Sequence, residues 1–180
     1  MNRKIVATLS VAAVAGLAPL SGALAATSAP NLVANPGYES GLTSWGKDSS
    51  SSTLAVASSA GSSGNGLKIT ASGAGNMGVK QTLTQKSVAG ATYVVTASLK
   101  AGSQTSTVNG GLVVRETRSN GTRLSPGVSS SIKLISSSFT TITYRYIAQY
   151  DGSALTVVAR STYASKGEIL NVDEWNVVKS

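Results

Sequence analysis

The chain has 180 residues, with 15 Lys and Arg against 7 Asp and Glu, and it contains neither His nor Cys. This composition excludes Ser-His-Asp and Cys-His relays, thiolate zinc sites, iron–sulfur clusters and disulfides, because none of them can be built from the residues present. Aromatic residues make up only 5% of the chain, so the position of each one is informative.

The first 25 residues have the pattern of a secretory signal peptide. Arg3 and Lys4 precede an apolar run from Ile5 to Leu20, and Ala23-Leu24-Ala25 places small residues at a cleavage site. The run is shorter than the roughly 20 residues that cross a bilayer, so we expect no membrane span. Cleavage after Ala25 leaves 180 − 25 = 155 residues. We therefore predict a secreted, extracellular protein whose single domain comprises residues 26–180.

Short β-branched segments follow, separated by clusters of Gly, Ser and Asn, and no amphipathic helix of ordinary length is present. This spacing predicts an all-β sandwich or barrel. The predicted strands cover residues 53–57, 67–71, 78–83, 92–99, 112–117, 139–147, 155–159 and 169–178. In the fourth strand, Tyr93, Val95, Ala97 and Leu99 alternate with polar residues, so we expect them to face the core. The Asn120-Gly121 and Asp151-Gly152 dipeptides favour tight reversals, and a hairpin is predicted at each.

Without Arg3 and Lys4 the chain has 13 basic and 7 acidic residues, a formal charge of 13 − 7 = +6. Such an excess favours polyanions, for example an anionic cell-wall polymer or an acidic polysaccharide. The alternative is that the charges are dispersed and only solubilise the protein, since no basic run occurs. Nucleic acid is not an expected partner, because basic clusters and recognition-helix patterns are absent from the sequence.

Four segments carry a resemblance to a known family. They read NLVANPGYESGLTSW (residues 31–45), GNGLKIT (64–70), VKQTLTQKSVAGATYVVTASLKAG (79–102) and ILNVDEWNVV (169–178). Their order and content resemble the secreted carbohydrate-binding modules of families four, nine, sixteen and twenty-two. The resemblance implies a β-sandwich jelly roll of two antiparallel sheets, with the first and last strands close together.

The resemblance also implies a structural calcium ion where the opening and closing motifs meet. Glu39 matches the Glu of the opening motif, and Asp173 matches the first acid of the closing motif, where Glu174 stands in place of a second Asp. Carbonyl oxygens from the loop at Asn65 and Gly66 are expected to complete the coordination. The alternative is that Glu39 caps a turn and Asp173 pairs with a lysine.

Sugar binding generally needs aromatic rings for stacking and polar groups for hydroxyls. We expect Trp45, Tyr93 and Trp175 to lie in the core, which leaves few rings for a ligand. The ligand-binding candidates are three arginines at outward strand positions, one glutamine and two tyrosines near loops: Arg115, Arg145, Arg160, Gln81, Tyr150 and Tyr163. The alternative for the arginines is a solvated sheet face. Such a set suits a charged or soluble single-chain glycan better than a flat crystalline surface.

Catalysis is not expected, because the seven acids include no recognisable pair and no His is available. The leading prediction is a non-catalytic, monomeric carbohydrate-binding protein for a poly- or oligosaccharide. The alternative is a cell-envelope adhesion or structural protein that binds an anionic wall polymer or a protein partner by charge. A third possibility is a scaffold that has lost its ligand. Fold alone does not separate these functions.

Overall fold

A computed structural model of the chain describes residues 29–102, 107–124, 126–129 and 132–180. The predicted signal peptide, residues 1–25, lies outside these residues. No helix in the described ranges is long and apolar enough to cross a bilayer. The described elements are one short 3₁₀ helix, Ser58–Ala60, and the strands β1 (Gly46–Lys47), β2 (Ser52–Ala57), β3 (Gly66–Ala71), β4 (Gly75–Thr82), β5 (Thr92–Ala101), β6 (Thr107–Thr117), β7 (Gly127–Val128), β8 (Ile132–Ile135), β9 (Thr140–Ile147), β10 (Ala154–Ala164) and β11 (Ile169–Lys179).

The strands form two antiparallel sheets. Sheet A has the order β1-β4-β10-β6-β7, and β8 also pairs with β6. Sheet B has the order β2-β3-β11-β5-β9. One apolar cluster joins the inner faces of both sheets. The predicted fold class, a β-sandwich jelly roll of two antiparallel sheets, is confirmed.

The core follows from the alternation within the strands. Tyr93, Val95, Ala97 and Leu99 in β5 are each at most 1% exposed, as predicted. Side chains of the same core from sheet A include Leu155 in β10, which is fully buried. Because complete burial of a large apolar side chain contributes about 1.5–3 kcal/mol, this layer is the main source of stability in a chain without cysteine.

All eight predicted strands are present, although β6 and β10 extend well beyond their predicted limits. The hairpin predicted at Asn120-Gly121 is confirmed, because the chain folds back and Thr117 bridges to Arg123. Gly121 has a φ of +83°, the left-handed conformation that such a turn requires.

The hairpin predicted at Asp151-Gly152 is wrong. β9 pairs with β5 in sheet B, whereas β10 pairs with β4 and β6 in sheet A. The dipeptide does form a turn, with a φ of +70° at Gly152, but the turn carries the chain from one sheet to the other. An Asp-Gly dipeptide predicts a local reversal of the backbone. It does not predict which strand the following strand will pair with.

A buried carboxylate fixes this crossover. Glu116 in β6 is fully buried and accepts hydrogen bonds from the Tyr146 hydroxyl at 2.7 Å and from the backbone N–H groups of Gln149 and Tyr150 at 2.9 Å. Burial alone raises the pKa of Glu116, but the hydrogen bonds outweigh burial and hold the pKa below its ordinary value. The charged form of Glu116 therefore ties the crossover to sheet A.

We expect Glu116→Gln to lower the free energy of unfolding by about 2–3 kcal/mol near neutral pH, because a hydrogen bond to a charged group contributes roughly 1.5–3 kcal/mol. Since the folded-state pKa lies below the unfolded one, this contribution is complete above the ordinary carboxyl pKa and is lost as the pH falls through the folded-state value. Urea unfolding from about pH 7 to about pH 3 measures both effects. Tyr146→Phe removes one donor of three and should cost less. Equal stability of Glu116→Gln and the unmodified protein at neutral pH would contradict this account.

Candidate functional site

The outer face of sheet A carries a groove at the end nearest the Asn120-Gly121 turn. Its volume is about 660 Å³. Among the described residues no aromatic ring lines it, and its lining is mostly polar and charged. The groove is defined by its lining residues, which are Asp48, Lys80, Thr82, Arg115, Thr117, Gly121, Arg123, Ala154 and Thr156.

Strand register brings the groove residues together. Thr156 in β10 lies between Thr82 in β4 and Arg115 in β6. The Thr82 and Thr156 hydroxyl oxygens are 2.8 Å apart and hydrogen-bonded. Because side chains at alternate positions of a strand share a face, residues on three neighbouring strands present their polar groups to the same space.

The groove carries more positive than negative charge. Arg115 forms a bidentate ion pair with Asp48, in which Nη2 donates to Oδ2 at 2.9 Å and Nη1 donates to Oδ1. The hydrogen bond to Asp48 raises the pKa of Arg115. No other ion pair occurs in the part of the chain that the structure describes. Lys80 and Arg123 therefore line the groove without a neutralising carboxylate.

The same face continues along β10 away from the groove. Val158, the next outward residue, lies between Lys80 and Val113, and both valines are 0% exposed. Arg160 is the outward residue after it, paired with Gly78 on one side and Gly111 on the other. Since neither glycine has a side chain, the Arg160 side chain has no cross-strand neighbour on its flanks. The predicted residues Arg115 and Arg160 therefore share one face and are separated by buried valines.

Tyr163 lies at the other end of β10. A bulge between Ser161 and Ala164 leaves it with a φ of +61° and 92% exposed. A left-handed conformation is uncommon for a bulky residue, so the bulge holds this ring outward at a conformational cost. With Asn109 and Lys133, Tyr163 lines a second hollow of about 340 Å³.

The three remaining predicted ligand-binding residues lie elsewhere. Gln81 is 4% exposed, and its amide exchanges two hydrogen bonds of 2.8 Å with the backbone of Ala34. Arg145 is in β9 and so belongs to sheet B. Tyr150 lies in the crossover, where the Arg118 guanidinium carbon is 3.9 Å from its ring centre.

The carboxylates predicted to bind metal, Glu39 and Asp173, lie close together. A β-carbon added to Gly37 would be 3.9 Å from Glu39 Oε1 and 3.7 Å from Asp173 Oδ1, so both oxygens border one small space. Asp173 is 1% exposed. Its Oδ2 accepts hydrogen bonds from the Ser62 N–H at 2.9 Å and hydroxyl at 3.2 Å. Its Oδ1 is buried and has no hydrogen-bond partner among the described residues.

This arrangement fits an oxygen-binding cation such as calcium. A buried carboxylate oxygen without a donor is costly, and a cation beside it would offset that cost. No group of three or more His, Cys, Asp or Glu residues suited to a metal occurs within the described ranges. The further ligands would therefore be backbone carbonyl groups, hydroxyl groups or water molecules.

The glycines of the adjacent loop have different surroundings, and the predicted role of the Gly66 carbonyl as a cation ligand stays a prediction. Gly66 begins β3, where a β-carbon would collide with the Ala60 carbonyl oxygen. Gly64, with a φ of +67°, is the glycine at which an added β-carbon would meet the Glu39 carboxylate. Asn65 secures that carboxylate with its backbone N–H and its side-chain amide, both at 2.9 Å.

An aromatic cluster packs beside the two carboxylates. The rings of Tyr38 and Trp45 have centres 5.2 Å apart, and those of Trp45 and Trp175 have centres 5.0 Å apart. Trp175 Nε1 donates to the Tyr38 hydroxyl at 2.8 Å. Burial raises the pKa of Tyr38 well above its ordinary value, so the phenol stays neutral. Both tryptophans lie in the core, as predicted.

The sequence and the sandwich fold together assign the chain to a known class of protein. A family model described as a carbohydrate binding domain, of the type four and nine modules, matches residues 30–166. The chain belongs to this carbohydrate binding domain family, and the resemblance predicted from its four motifs is confirmed. No curated protein sequence matches the chain.

Solved structures share the fold at low sequence identity. The CBM22-1 xylan-binding domain of Paenibacillus barcinonensis Xyn10C has a TM-score of 0.69 and 16% identity, over 86% of this chain and 97% of that chain. The CBM22-1–GH10 modules of Clostridium thermocellum xylanase 10B, complexed with xylohexaose, have a TM-score of 0.67 and 14% identity, over 84% of this chain and 29% of that chain. A family 16 carbohydrate binding module has a TM-score of 0.59 and 20% identity, over 82% and 99%. At these identities the likeness shows the fold.

We expect Gln81→Ala to lower the free energy of unfolding by about 1–3 kcal/mol, because it leaves the Ala34 backbone groups without their partners. Gln85→Ala is the matched control, since Gln85 is an exposed glutamine in the segment after β4. Thermal unfolding of the two variants measures the difference. An equal loss of stability in both would show that the Gln81 bridge contributes nothing.

Proposed function

We propose that this protein is a non-catalytic, secreted carbohydrate-binding protein that holds a glycan chain in the groove on sheet A. The family assignment supports carbohydrate binding. The observation that supports the location is the groove itself, about 660 Å³ in volume and lined by hydroxyl and cationic groups on three neighbouring strands. Its position on a sheet gives the polar groups a rigid base, which lowers the entropic cost of binding.

The charge of the groove favours an acidic glycan. Three cationic side chains, Lys80, Arg115 and Arg123, face one carboxylate, Asp48, which leaves a formal excess of 3 − 1 = +2. Without an aromatic ring in the described lining, stacking on a sugar face is weak there, and hydrogen bonds and charge must supply the affinity. The neighbouring structures are described as xylan-binding or as holding xylohexaose. For this chain we propose a poly- or oligosaccharide that carries uronate groups.

The distribution of the acids supports a role without catalysis. A glycoside hydrolase uses two carboxylates on either side of the bond that breaks. Asp48 is the one carboxylate among the described groove residues, and both of its oxygens are engaged by Arg115. Glu116 is buried under the crossover, and Glu39 and Asp173 lie at the candidate cation site. This leaves no pair of acids for the cleavage of a glycan in the groove.

We further propose that calcium binds between Glu39 and Asp173 and has a structural role. Asp173 belongs to β11, and Glu39 belongs to the opening segment that precedes β1. An ion between them would join the two ends of the described chain. The pattern of residues 1–25 supports export, and an extracellular setting would supply calcium ions.

We expect the Lys80→Gln, Arg123→Gln double variant to bind polygalacturonate roughly ten-fold more weakly, a change of about 1.4 kcal/mol, because two charged contacts are lost. Binding to neutral xylan should change little. Isothermal titration calorimetry at low and high salt measures both. The matched control is Arg145→Gln with Lys179→Gln, which removes the same charge from sheet B.

Three results would count against the proposal in different ways. Failure to bind any glycan would refute carbohydrate binding in the groove. Equal weakening in the control variant would point to the adhesion alternative, in which net charge alone attracts a polymer. Equal affinity for the neutral and the acidic glycan would refute only the preference for uronate.

We expect calcium to raise the midpoint of thermal unfolding by roughly 5–10 °C when its free concentration is about 100 times the dissociation constant. An excess of chelator should remove this gain. Asp173→Asn should abolish the response to calcium, whereas Asp151→Asn, which alters an exposed acid in the crossover, should keep it. An unmodified protein with the same midpoint in calcium and in chelator would refute the ion site.

A further inference from the structure

A third and smaller hollow, distinct from the one beside Tyr163, lies on the outer face of sheet B, on the side of the sandwich opposite the groove. Its volume is about 130 Å³. Ligand pockets for whole small molecules generally span about 300–1,000 Å³, so this space suits one small group and not a chain of sugar rings. The residues that define this hollow are Ser59, Ala60, Lys68, Lys100, Gly102, Ser136, Ile169 and Asn171.

The floor of the hollow contains an unusual residue for its position. Asn171 is in β11, the middle strand of sheet B, and asparagine is depleted in strands. The residue is only 6% exposed. No group in the described residues hydrogen-bonds its side-chain amide, which lines the hollow. The amide is open to the hollow and is not among the fully enclosed unpaired polar atoms of the described residues, so it is free to donate a hydrogen bond to a ligand there.

Two lysines flank this asparagine. In the sheet register, Asn171 pairs with Lys68 on β3 and with Lys100 on β5, so the two lysines stand on either side of it. Their Cα atoms are separated by two strand spacings, about 9.6 Å, a span over which two lysine side chains reach a common point. Neither lysine has an ion-pair partner in the described ranges.

Phe139, just before β9 and so on the side of β5 away from β11, contacts one of these cations. The Lys100 ammonium lies 4.4 Å from the centre of the Phe139 ring. A cation–π contact fixes the position of an ammonium group without neutralising its charge. Two acids lie beyond Asn171 on this side of sheet B: Asp173, whose Oδ2 accepts hydrogen bonds from Ser62, and Glu174, whose carboxylate accepts hydrogen bonds from the Ser62 and Ser98 hydroxyls. The hollow is therefore lined by hydrogen-bond donors and by positive charge, and its described lining contains no carboxylate.

We propose that the hollow is a binding site for a tetrahedral oxyanion, a sulfate or phosphate group. The Asn171 amide donates one hydrogen bond from the floor, and the Lys68 and Lys100 ammonium groups neutralise the charge from both sides. The Ser59 and Ser136 hydroxyls border the same space and can donate to the outer oxygens. The group is either a free ion or an ester on a polymer, because the hollow opens to the surface of the sandwich.

Inorganic sulfate is the probe for this site, since phosphate would precipitate with calcium. In a ¹⁵N-resolved NMR titration of the protein, sulfate should shift the Asn171 side-chain amide resonances saturably. The Lys68→Gln, Lys100→Gln double variant should weaken binding at least about ten-fold. Lys179→Gln is the matched control, because Lys179 lies at the other end of β11, about eight residues or roughly 27 Å away.

The Asn171→Val variant tests whether a loss of sulfate binding can occur without a loss of stability. It removes the amide from a central strand position that favours β-branched residues, so we expect unchanged or higher stability together with the loss of the sulfate response. The proposal is overturned if the Asn171 resonances do not move, or if Lys179→Gln weakens binding as much as the double variant does. Retention of the sulfate response in Asn171→Val would also overturn it.

Dextran sulfate and neutral dextran distinguish the two sources of the group. If the oxyanion belongs to a polymer, dextran sulfate should bind more tightly than inorganic sulfate, and the Lys68→Gln, Lys100→Gln double variant should remove this gain. If the free ion is the ligand, both should bind with similar affinity per sulfate group. The groove variant Lys80→Gln, Arg123→Gln should leave the sulfate response of Asn171 unchanged. An unchanged response would show that the hollow binds sulfate independently of the proposed glycan groove.

Discussion

The buried carboxylate of Asp173 is the constraint on which one end of the sandwich depends. Its Oδ2 is satisfied by Ser62, in the loop after the 3₁₀ helix, while its Oδ1 faces the space beside Gly37 and Glu39. The regular pairing of β11 with β5 is interrupted after this residue. A bulge comes next, Glu174 takes a φ of +53°, and Trp175 turns into the core. The loop, the opening segment and the aromatic cluster thus meet at one buried carboxylate, whose Oδ1 has no hydrogen-bond partner among the described residues.

The fold was largely predictable because alternation and turn chemistry are local properties of the sequence. The inward residues of β5 can be read directly from their spacing, and the family motifs add the jelly-roll arrangement of two antiparallel sheets. The pairing of strands depends on distant segments, which explains the wrong hairpin at Asp151-Gly152. The local pattern also failed to predict the second half of β10, residues 160–164. There Arg160 and Tyr163 interrupt the apolar run, although the backbone pairing continues.

The candidate groove was only partly predictable. Arg115 and Arg160 were identified from their outward parity on strands, which is a local signal. Lys80 and Thr82 have the same parity in β4 and could have been found in the same way. Asp48 could not, since it reaches Arg115 only through the pairing of β1 with β4. The hollow on sheet B depends in the same way on cross-strand register, because Lys68, Lys100 and Asn171 are far apart in the sequence.

The aromatic cluster has a practical consequence for work on this protein. The chain contains two tryptophans, and both lie in the one cluster, with ring centres 5.0 Å apart. Trp175 lies two residues after Asp173, and Trp45 contacts it at the opening segment. Intrinsic tryptophan emission therefore originates entirely from one end of the sandwich. Intrinsic tryptophan fluorescence, measured without an attached dye, therefore reports on the surroundings of Glu39 and Asp173. It does not report on changes around Tyr163, near the far end of β10.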